Sequence, residues 1–588
     1  MSFSRRHGIA ALAALATGFA LVTPVQAAIV ATPYEHSAPD AAVKLAPIGA
    51  YDSGVFDASA AEIVAYHAGS KRILTVNANS GQIDVLDASN PAKPTKIGAV
   101  SGGADTTINS VSVRADGLAV ATVEPNADKT LPGSLMFFDA ASDTFEQLGA
   151  VTVGSLPDMV TITEDGKYAL VANEGEPAED YSVDPEGSIS VVALNDDVTA
   201  SKQGDVRTAD FKKFNGTLAD KGVHIYGQVG DSKTEAQNIE PEYIAVDGDT
   251  AYASLQENNA IAVIDIETAT VTDVWPLRYI DRTKVPFDAS DRDEGITIKN
   301  WPFKSIRQPD SIGAYNVDGQ TYIVTANEGD ARDWEAYSEE ARLKDLGKDG
   351  NPDLCEGFQG MTAEEIEFFK SDAGAGRQNI TLAFGLNDEG TCYEEVYNYG
   401  GRSFSIFTAK GELVYESGSE FEEITAKAMP DWFNSNHTES KFEGRSDDKG
   451  PEPEGLVLGQ IGDRTYAFIG FERVGGVIVY DITDPANSKF VTYLNNRDFG
   501  ISMEDFEGDD AAIRENLPKA GDLGPEGLAF IPAADSPNGK NLVVVGNEVS
   551  GTTTVYQVDA LNEAPAPGSS TSSALSSGSS VSSLSSAR

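Results

Sequence analysis

Twelve carboxylates recur at two fixed places of one repeated segment. The first place carries Glu62, Asp158, Glu242, Asp310, Glu454 and Glu526, with Asn109 in a seventh copy. The second carries Glu124, Glu174, Glu257, Glu328, Glu472 and Glu548, with Asn77 as its exception. Carboxylates crowded into one region raise one another's pKa and cannot all stay ionised without counter-charge, and bound cations are the simplest supply. Calcium takes about six to eight oxygen ligands, and Asn173, Gln256, Asn327 and Asn547, each directly before a second-place acid, add amide oxygens of the right kind. Zinc fits poorly, because the five histidines are scattered. Iron or another divalent metal remains open. A plainer reading makes each first-place acid a turn-former whose carboxylate accepts backbone N–H groups after proline. That reading leaves the paired second-place glutamates unexplained, so metal binding is the expectation for the set.

Four basic residues lie close to these acids in sequence. They are Arg332 in TANEGDARDW, Arg445 and Lys449 in RSDDKGPEPEG, and Arg473 in FERVGG. A guanidinium fork matches two phosphate oxygens, and metal with arginine is a common apparatus for a phosphoryl group. These four are the candidate catalytic residues. The alternative is that each simply pairs with a neighbouring acid.

What positions them is a repeat of strands. Seven segments, beginning at Glu62, Asn109, Asp158, Glu242, Asp310, Glu454 and Glu526, share an acid or amide, an apolar strand, a tight turn and a second strand. The fourth is clearest: YIAVD from Tyr243, the turn Gly248-Asp249, TAYASLQ, AIAVIDI from Ala260 and TVTDVWPL from Thr270. Short Val- and Ile-rich runs bounded by Asp and Gly turns carry no helical period. Seven units of four strands predict an all-β, seven-bladed β-propeller. The last unit lacks a fourth strand, and Lys44-LAPIGAY is predicted to supply it, closing the ring from residues 44–51. Long insertions, Gly329 to Gly401 above all and others near 195–237, 277–308, 420–450 and 493–522, fall mostly in loops of one rim. Both sets of acids belong to that rim, and elaborated loops on a rigid scaffold are where function usually sits.

Composition narrows the class. With 92 Asp and Glu against 43 Lys and Arg the formal charge is −49, which excludes a generic nucleic-acid binder. The 40% hydrophobic fraction supports a large core. Residues 1–27 read as a signal peptide, with Arg5 and Arg6 ahead of the apolar run Gly8 to Val22 and a small-residue site at Val25-Gln26-Ala27. The expected location is periplasmic or secreted, with no transmembrane segment. Export makes a disulfide between Cys355 and Cys392 the expectation for the two cysteines. Residues 28–560 form the propeller domain, and 561–588 a Ser-rich tail expected to be disordered.

The segments EPEYIAVDGDTAYASLQENNAIAVIDI, TANEGDARDW, RSDDKGPEPEGL, GFERVGGVIVYDI, LGPEGLAFIP and SPNGKNLVVVGNEVSGTTTVYQV resemble the choice-of-anchor I family. That family is related to the mesenchyme-specific cell-surface glycoprotein of biomineralising animals and includes proteins labelled atypical alkaline phosphatases. The resemblance covers roughly residues 45–560. Two functions follow. One is a metal-dependent phosphomonoesterase acting on a small phosphorylated substrate, with Arg445, Lys449 or Arg473 steadying phosphoryl oxygens. The other is a non-catalytic calcium-binding surface or matrix protein that binds ions or mineral. Oligomeric state is not legible.

Overall fold

A computed structural model of the chain describes residues 29–226 and 232–561. The predicted signal peptide and nearly all of the Ser-rich tail lie outside the described residues.

The inner strands are apolar on both faces, as in Arg72–Asn77, where Leu74 and Val76 enter one core and Ile73 the next, and the strands of each sheet pair antiparallel. The first sheet comprises Val64–His67, Arg72–Asn77, Gln82–Asp87 and Thr95–Ser101. The second comprises Thr106–Val113, Leu118–Pro125, Pro132–Asp139 and Gln147–Ser155. The third opens with Pro157–Ile162, Tyr168–Asn173 and Ser188–Ala193, and the fourth is Pro241–Asp247, Thr250–Leu255, Ala260–Asp265 and Thr270–Pro276. Ile312–Val317, Gln320–Asn327, Ser403–Thr408 and Leu413–Glu416 make the fifth, and Pro453–Ile461, Arg464–Phe471, Val477–Asp481 and Lys489–Asn495 the sixth. The seventh contains Pro525–Ile531, Asn541–Asn547 and Thr552–Ala560. Each first strand touches the first strand of the next sheet, and that of the seventh touches that of the first, so the sheets close a ring as blades of a propeller.

The seventh blade is completed by Val43–Asp52, which pairs antiparallel with Thr552–Ala560, Val43 opposite Ala560 and Asp52 opposite Thr552. The predicted closure is therefore present. A second tie was not anticipated: Tyr34–Ser37 adds a fifth strand to the sixth blade against Lys489–Asn495. One N-terminal stretch thus edges two adjacent blades and covers an exposed strand on each.

Two insertions read differently in three dimensions. The region near 195–237 is only partly an insertion, because Val206–Asp210 is the fourth strand of the third blade, paired with Ser188–Ala193. Its VRTAD sequence has two charges in five residues and gives no apolar run, which hid it. The insertions 277–308 and 329–401 fold together: Tyr279–Asp281, Lys304–Ile306, Tyr397–Asn398, Asn379–Thr381 and Glu340–Arg342 form one mixed sheet. Phe287, Trp301, Phe303, Leu343, Phe369 and Tyr393 give this module its own core. The module also holds the helix Ala363–Phe369, started by a capping box in which Thr362 Oγ1 accepts from Glu365 N and the Glu365 carboxylate accepts from Thr362 N. Cys355 and Cys392 are disulfide-bonded across the module.

Closure should carry much of the cooperativity. Val43 and Leu45 are fully buried, and burial of two such side chains stabilises by roughly 3–6 kcal/mol. Removing residues 29–52 is expected to lower the thermal midpoint and broaden the transition. A truncated protein that melts like the intact one would show that the ring holds without its strap.

Candidate metal centre

The first-place acids reach the rim through a repeated irregularity. In five blades one extra residue sits on the first strand near its start: the register shifts between Ile108 and Val111, Pro157 and Val160, Pro241 and Ile244, Pro453 and Leu456, and Pro525 and Leu528. Glu62 and Asp310 sit in equivalent geometry, since Val76 answers both Glu62 and Ile63 while Ser311 O accepts from Ala326 N at 3.0 Å. A bulge re-aims side chains, and proline just ahead of it costs no ladder hydrogen bond.

Neighbouring first strands are held by small contacts at the same level. Thr122 Oγ1 donates to Asp158 O at 2.7 Å and Ser254 Oγ to Asp310 O at 2.8 Å, so a hydroxyl of one blade fixes the acid-bearing residue of the next. The approach is close enough to require glycine. A Cβ on Gly455 would lie 1.6 Å from Glu526 O, and one on Gly546 1.9 Å from Glu62 O. The Gly of Pro-Glu-Gly is thus part of the ring's construction.

The rim acids meet by one rule. Asp310 and Glu328 of the fifth blade join Glu454 of the sixth, and Glu526 and Glu548 of the seventh join Glu62 of the first, each trio with ligand atoms within 4.8 Å of one another. Each group is both acids of one blade plus the first acid of the next. Glu124, Asp158, Glu174, Glu242 and Glu257 continue the rim but make no equally tight trio among the described residues. They still interact: burial, then the charges of Glu257, Asp310, Glu174 and Asp158, hold Glu242 well above the ordinary carboxylate range. Burial, followed by Glu472, Glu328, Glu526 and Asp310, does the same to Glu454. Burial pushes Glu257 up to about 7 against the pull of Arg332, and Glu328 up to about 7 against Lys449.

Tyr243, beside Glu242 in the bulge, was not among the expected site residues. Burial and then the charges of Asp310, Glu526, Asp158 and Glu454 hold its phenol well above the ordinary range. Three of the expected amide ligands turn inward instead. Asn173 Nδ2 donates to Ser190 Oγ at 3.1 Å, Asn327 Nδ2 to Ser405 Oγ at 2.8 Å and Asn547 Nδ2 to Thr552 Oγ1 at 3.1 Å, fastening second strands to third strands. Only Gln256 reaches a rim acid, its Nε2 donating to Glu328 Oε2 at 2.9 Å.

The four basic residues divide into two sets. Arg332 is 1% exposed, its Nη2 lies 2.6 Å from Glu240 Oε1, and its guanidinium stacks 4.6 Å from the Tyr226 ring centre. It is thus committed to a buried ion pair, and its charge also acts on the rim acid Glu257. Arg445, Lys449 and Arg473 converge on Glu452, which is 0% exposed. Lys449 Nζ also lies 2.9 Å from Glu328 Oε1, and Arg473 Nη1 2.9 Å from Glu472 Oε1. Although burial opposes ionisation, Arg445, Lys449 and Arg473 hold Glu452 well below the ordinary range. Glu452 and Glu240 escaped sequence reading, yet a signal exists. Both are the first glutamate of Glu-Pro-Glu, in Glu452-Pro453-Glu454 and Glu240-Pro241-Glu242, and each buried carboxylate pairs with arginine.

His437, Glu472 and Glu548 also approach within 4.8 Å. Arg473 Nη1 lies 3.0 Å from His437 Nδ1, and burial followed by that guanidinium pushes the imidazole down to about 3. A resident positive charge already fills the place of a cation there.

These features define a β-propeller with an acidic rim and a covalently stapled side module. The chain belongs to the choice-of-anchor I family, whose domain matches residues 62–485. It is 29% identical over 218 residues to gigasin-3a of Magallana gigas, a match covering 36% of this chain and 74% of that protein. It is 30% identical over 322 residues to the mesenchyme-specific cell surface glycoprotein of Strongylocentrotus purpuratus, covering 48% of this chain and 41% of the relative, so the match spans less than half of that glycoprotein. Among solved structures, Kuenenia stuttgartiensis hydrazine synthase overlays with a TM-score of 0.40 at 14% identity, over 86% of this chain and 98% of that one. No helix among the described residues is long and apolar enough to cross a membrane. The family, the cell-surface relative and the disulfide fit an extracellular or secreted protein.

Glu452→Gln should be the most damaging single change at the rim. It leaves three cations around a buried neutral group, and removing one partner of a buried ion pair costs about 3–5 kcal/mol. Denaturant midpoints compared with Glu454→Gln in chelator-treated protein check this. A loss below that of Glu454→Gln would mean that the basic residues are not organised by Glu452.

Proposed function

We propose that the elaborated rim is a calcium-binding mouth and that the protein acts outside the cytoplasm as a calcium-dependent binding propeller. One observation carries this reading: Oε2 of Glu242, Glu257 and Glu454 is buried with no hydrogen-bond partner, around a rim where Asp310, Glu328 and Glu454 already converge. Buried carboxylate oxygens without donors are costly, and an oxygen-only donor set suits a hard divalent cation. Calcium would supply counter-charge and fix three blades relative to one another, with Asp310, Glu328 and Glu454 as holders. The sea-urchin relative is named a cell surface glycoprotein, in keeping with binding at a surface. A signal peptide cleaved near Ala27 would bring the chain there.

A carboxylate whose pKa is raised by folding binds its proton more tightly in the folded state. Its stability contribution is present at low pH and disappears as pH rises through the raised value. Metal-free protein should therefore lose stability progressively from about pH 4.5, where the unfolded chain's glutamates ionise, to about pH 7, where Glu257 and Glu328, pushed up to about 7, ionise in the folded state. Calcium at about 100 times its dissociation constant should restore roughly 2.7 kcal/mol per site. Glu454→Gln should blunt both effects. Thermal midpoints across this pH range, with chelator and with millimolar calcium, decide the matter; superimposable curves would remove the structural calcium ion.

A second reading is phosphoester hydrolysis. Its support is the position of Arg445, Lys449 and Arg473 beside the Asp310, Glu328 and Glu454 group, with Lys449 bridging to Glu328. Against it, each of these cations already has a carboxylate partner. If the mouth hydrolyses phosphomonoesters, Arg473→Ala should spare bound metal and reduce turnover about tenfold or more, an interaction of ~1.4 kcal/mol in the transition state. Glu454→Gln should lower metal content and turnover together. Absence of turnover by metal-replete protein on several unrelated phosphomonoesters leaves the binding reading alone.

A further inference from the structure

A second group of acids lies outside the rim, where two insertions meet. Asp288 and Asp293 belong to the segment Asp288-ASDRDEGIT of one insertion, and Glu443 to the loop ahead of Arg445 in another. Their ligand oxygens lie within 4.8 Å of one another. Asp288 is 0% exposed and Glu443 2% exposed.

The surrounding groups hold Asp288 firmly. Thr297 N donates to Asp288 Oδ2 at 2.6 Å, and Ser290 N to Asp288 Oδ1 at 3.3 Å. Neighbouring cations are committed elsewhere: Arg402 is paired with Glu422 at 2.7 Å, and Arg292 and Arg377 with Asp291 at 2.5 and 2.7 Å. Three acids, two of them buried, consequently meet here, and none has an ion pair with a cation among the described residues. The independent sign of a ligand is that Glu443 Oε1 and Asp293 Oδ1 are each buried with no hydrogen-bond partner, on carboxylates that approach one another. A cation satisfies both oxygens at once.

We propose that Asp288, Asp293 and Glu443 bind a divalent cation, calcium by donor chemistry, at a site separate from the propeller mouth. Its structural effect is to fasten the segment 288–297 to the loop 433–447. Glu443 N donates to Phe433 O at 2.8 Å and Arg445 N to Asn434 O at 2.8 Å, so the loop that holds the ligand also delivers Arg445 to Glu452. The ion would set the approach of Arg445 and Lys449 to the rim without touching it.

The test uses the full-length protein, stripped with chelator and titrated with calcium by calorimetry, alongside crystals grown in millimolar calcium. In wild-type crystals an ion should appear among the three carboxylates at about 2.3–2.6 Å from their oxygens. Glu443→Gln and Asp293→Asn should each lose one bound calcium per chain, or bind it at least about tenfold more weakly, while Glu454→Gln keeps it. Asp293 is partly exposed, so Asp293→Asn answers the question even where Glu443→Gln folds poorly. Unchanged calcium count and affinity in Asp293→Asn, or density with no ion at this place, would overturn the site whatever happens at the rim.

Discussion

Closing seven sheets around one axis forces the starts of seven strands into one small space, and this chain places acids there. The bulge after proline turns Asp158, Glu242, Glu454 and Glu526 out of the ladder, so the constraint of closure becomes an electrostatic one. Hydroxyl bonds such as Thr122 to Asp158 O prevent the blades from sliding apart to relieve it. Repulsion that cannot relax by movement must be met by protons, by internal cations or by bound ions.

The rim uses internal cations on one side. Glu-Pro-Glu supplies an extra buried acid in the fourth and sixth blades, and each gathers arginine: Arg332 at Glu240, and Arg445 with Arg473 at Glu452. Lys449 and Arg473 pass from Glu452 to the rim glutamates Glu328 and Glu472. The basic residues are therefore placed by a carboxylate that is itself outside the ring. In the same two blades, the second glutamate of each Glu-Pro-Glu, Glu242 and Glu454, keeps a buried oxygen with no donor. Within one tripeptide, then, the first carboxylate is neutralised by internal cations and the second is not.

Much of this was legible in sequence because it repeats. The spacing of Asp-Gly turns and Val-rich runs gave blades, insertions on one rim, and the closing strand Val43–Asp52. The twelve acids were found by the same regularity, and Asp310, Glu328 and Glu454 do meet. What failed was whatever occurs once. Val206–Asp210 is too polar to stand out, Tyr34–Ser37 pairs across more than 450 residues, and the side module joins two insertions through parallel pairing of Lys304 with Tyr397. Asn173, Asn327 and Asn547 donate their amide N–H groups to the third strand of their own blades, because alternation along a strand turns consecutive side chains to opposite sides. Arg332 pairs with Glu240 rather than joining the cations at Glu452, a choice that nearness in sequence to Glu328 does not reveal.

The loop from Glu443 to Glu452 links these threads. At one end Glu443 faces Asp288 and Asp293; at the other Glu452 binds three cations; between them Asp447 pairs with Arg342 and Arg377 of the side module. Ten residues thus carry contacts to the insertions, to the disulfide-stapled module and to the rim. Their backbone is short and tightly bonded, Ser446 N to Glu443 O at 3.0 Å and Asp448 N to Arg445 O at 3.1 Å, which leaves little slack for one end to shift alone. Charge at the insertion cluster and charge at the mouth are accordingly joined through one short, internally hydrogen-bonded stretch of backbone.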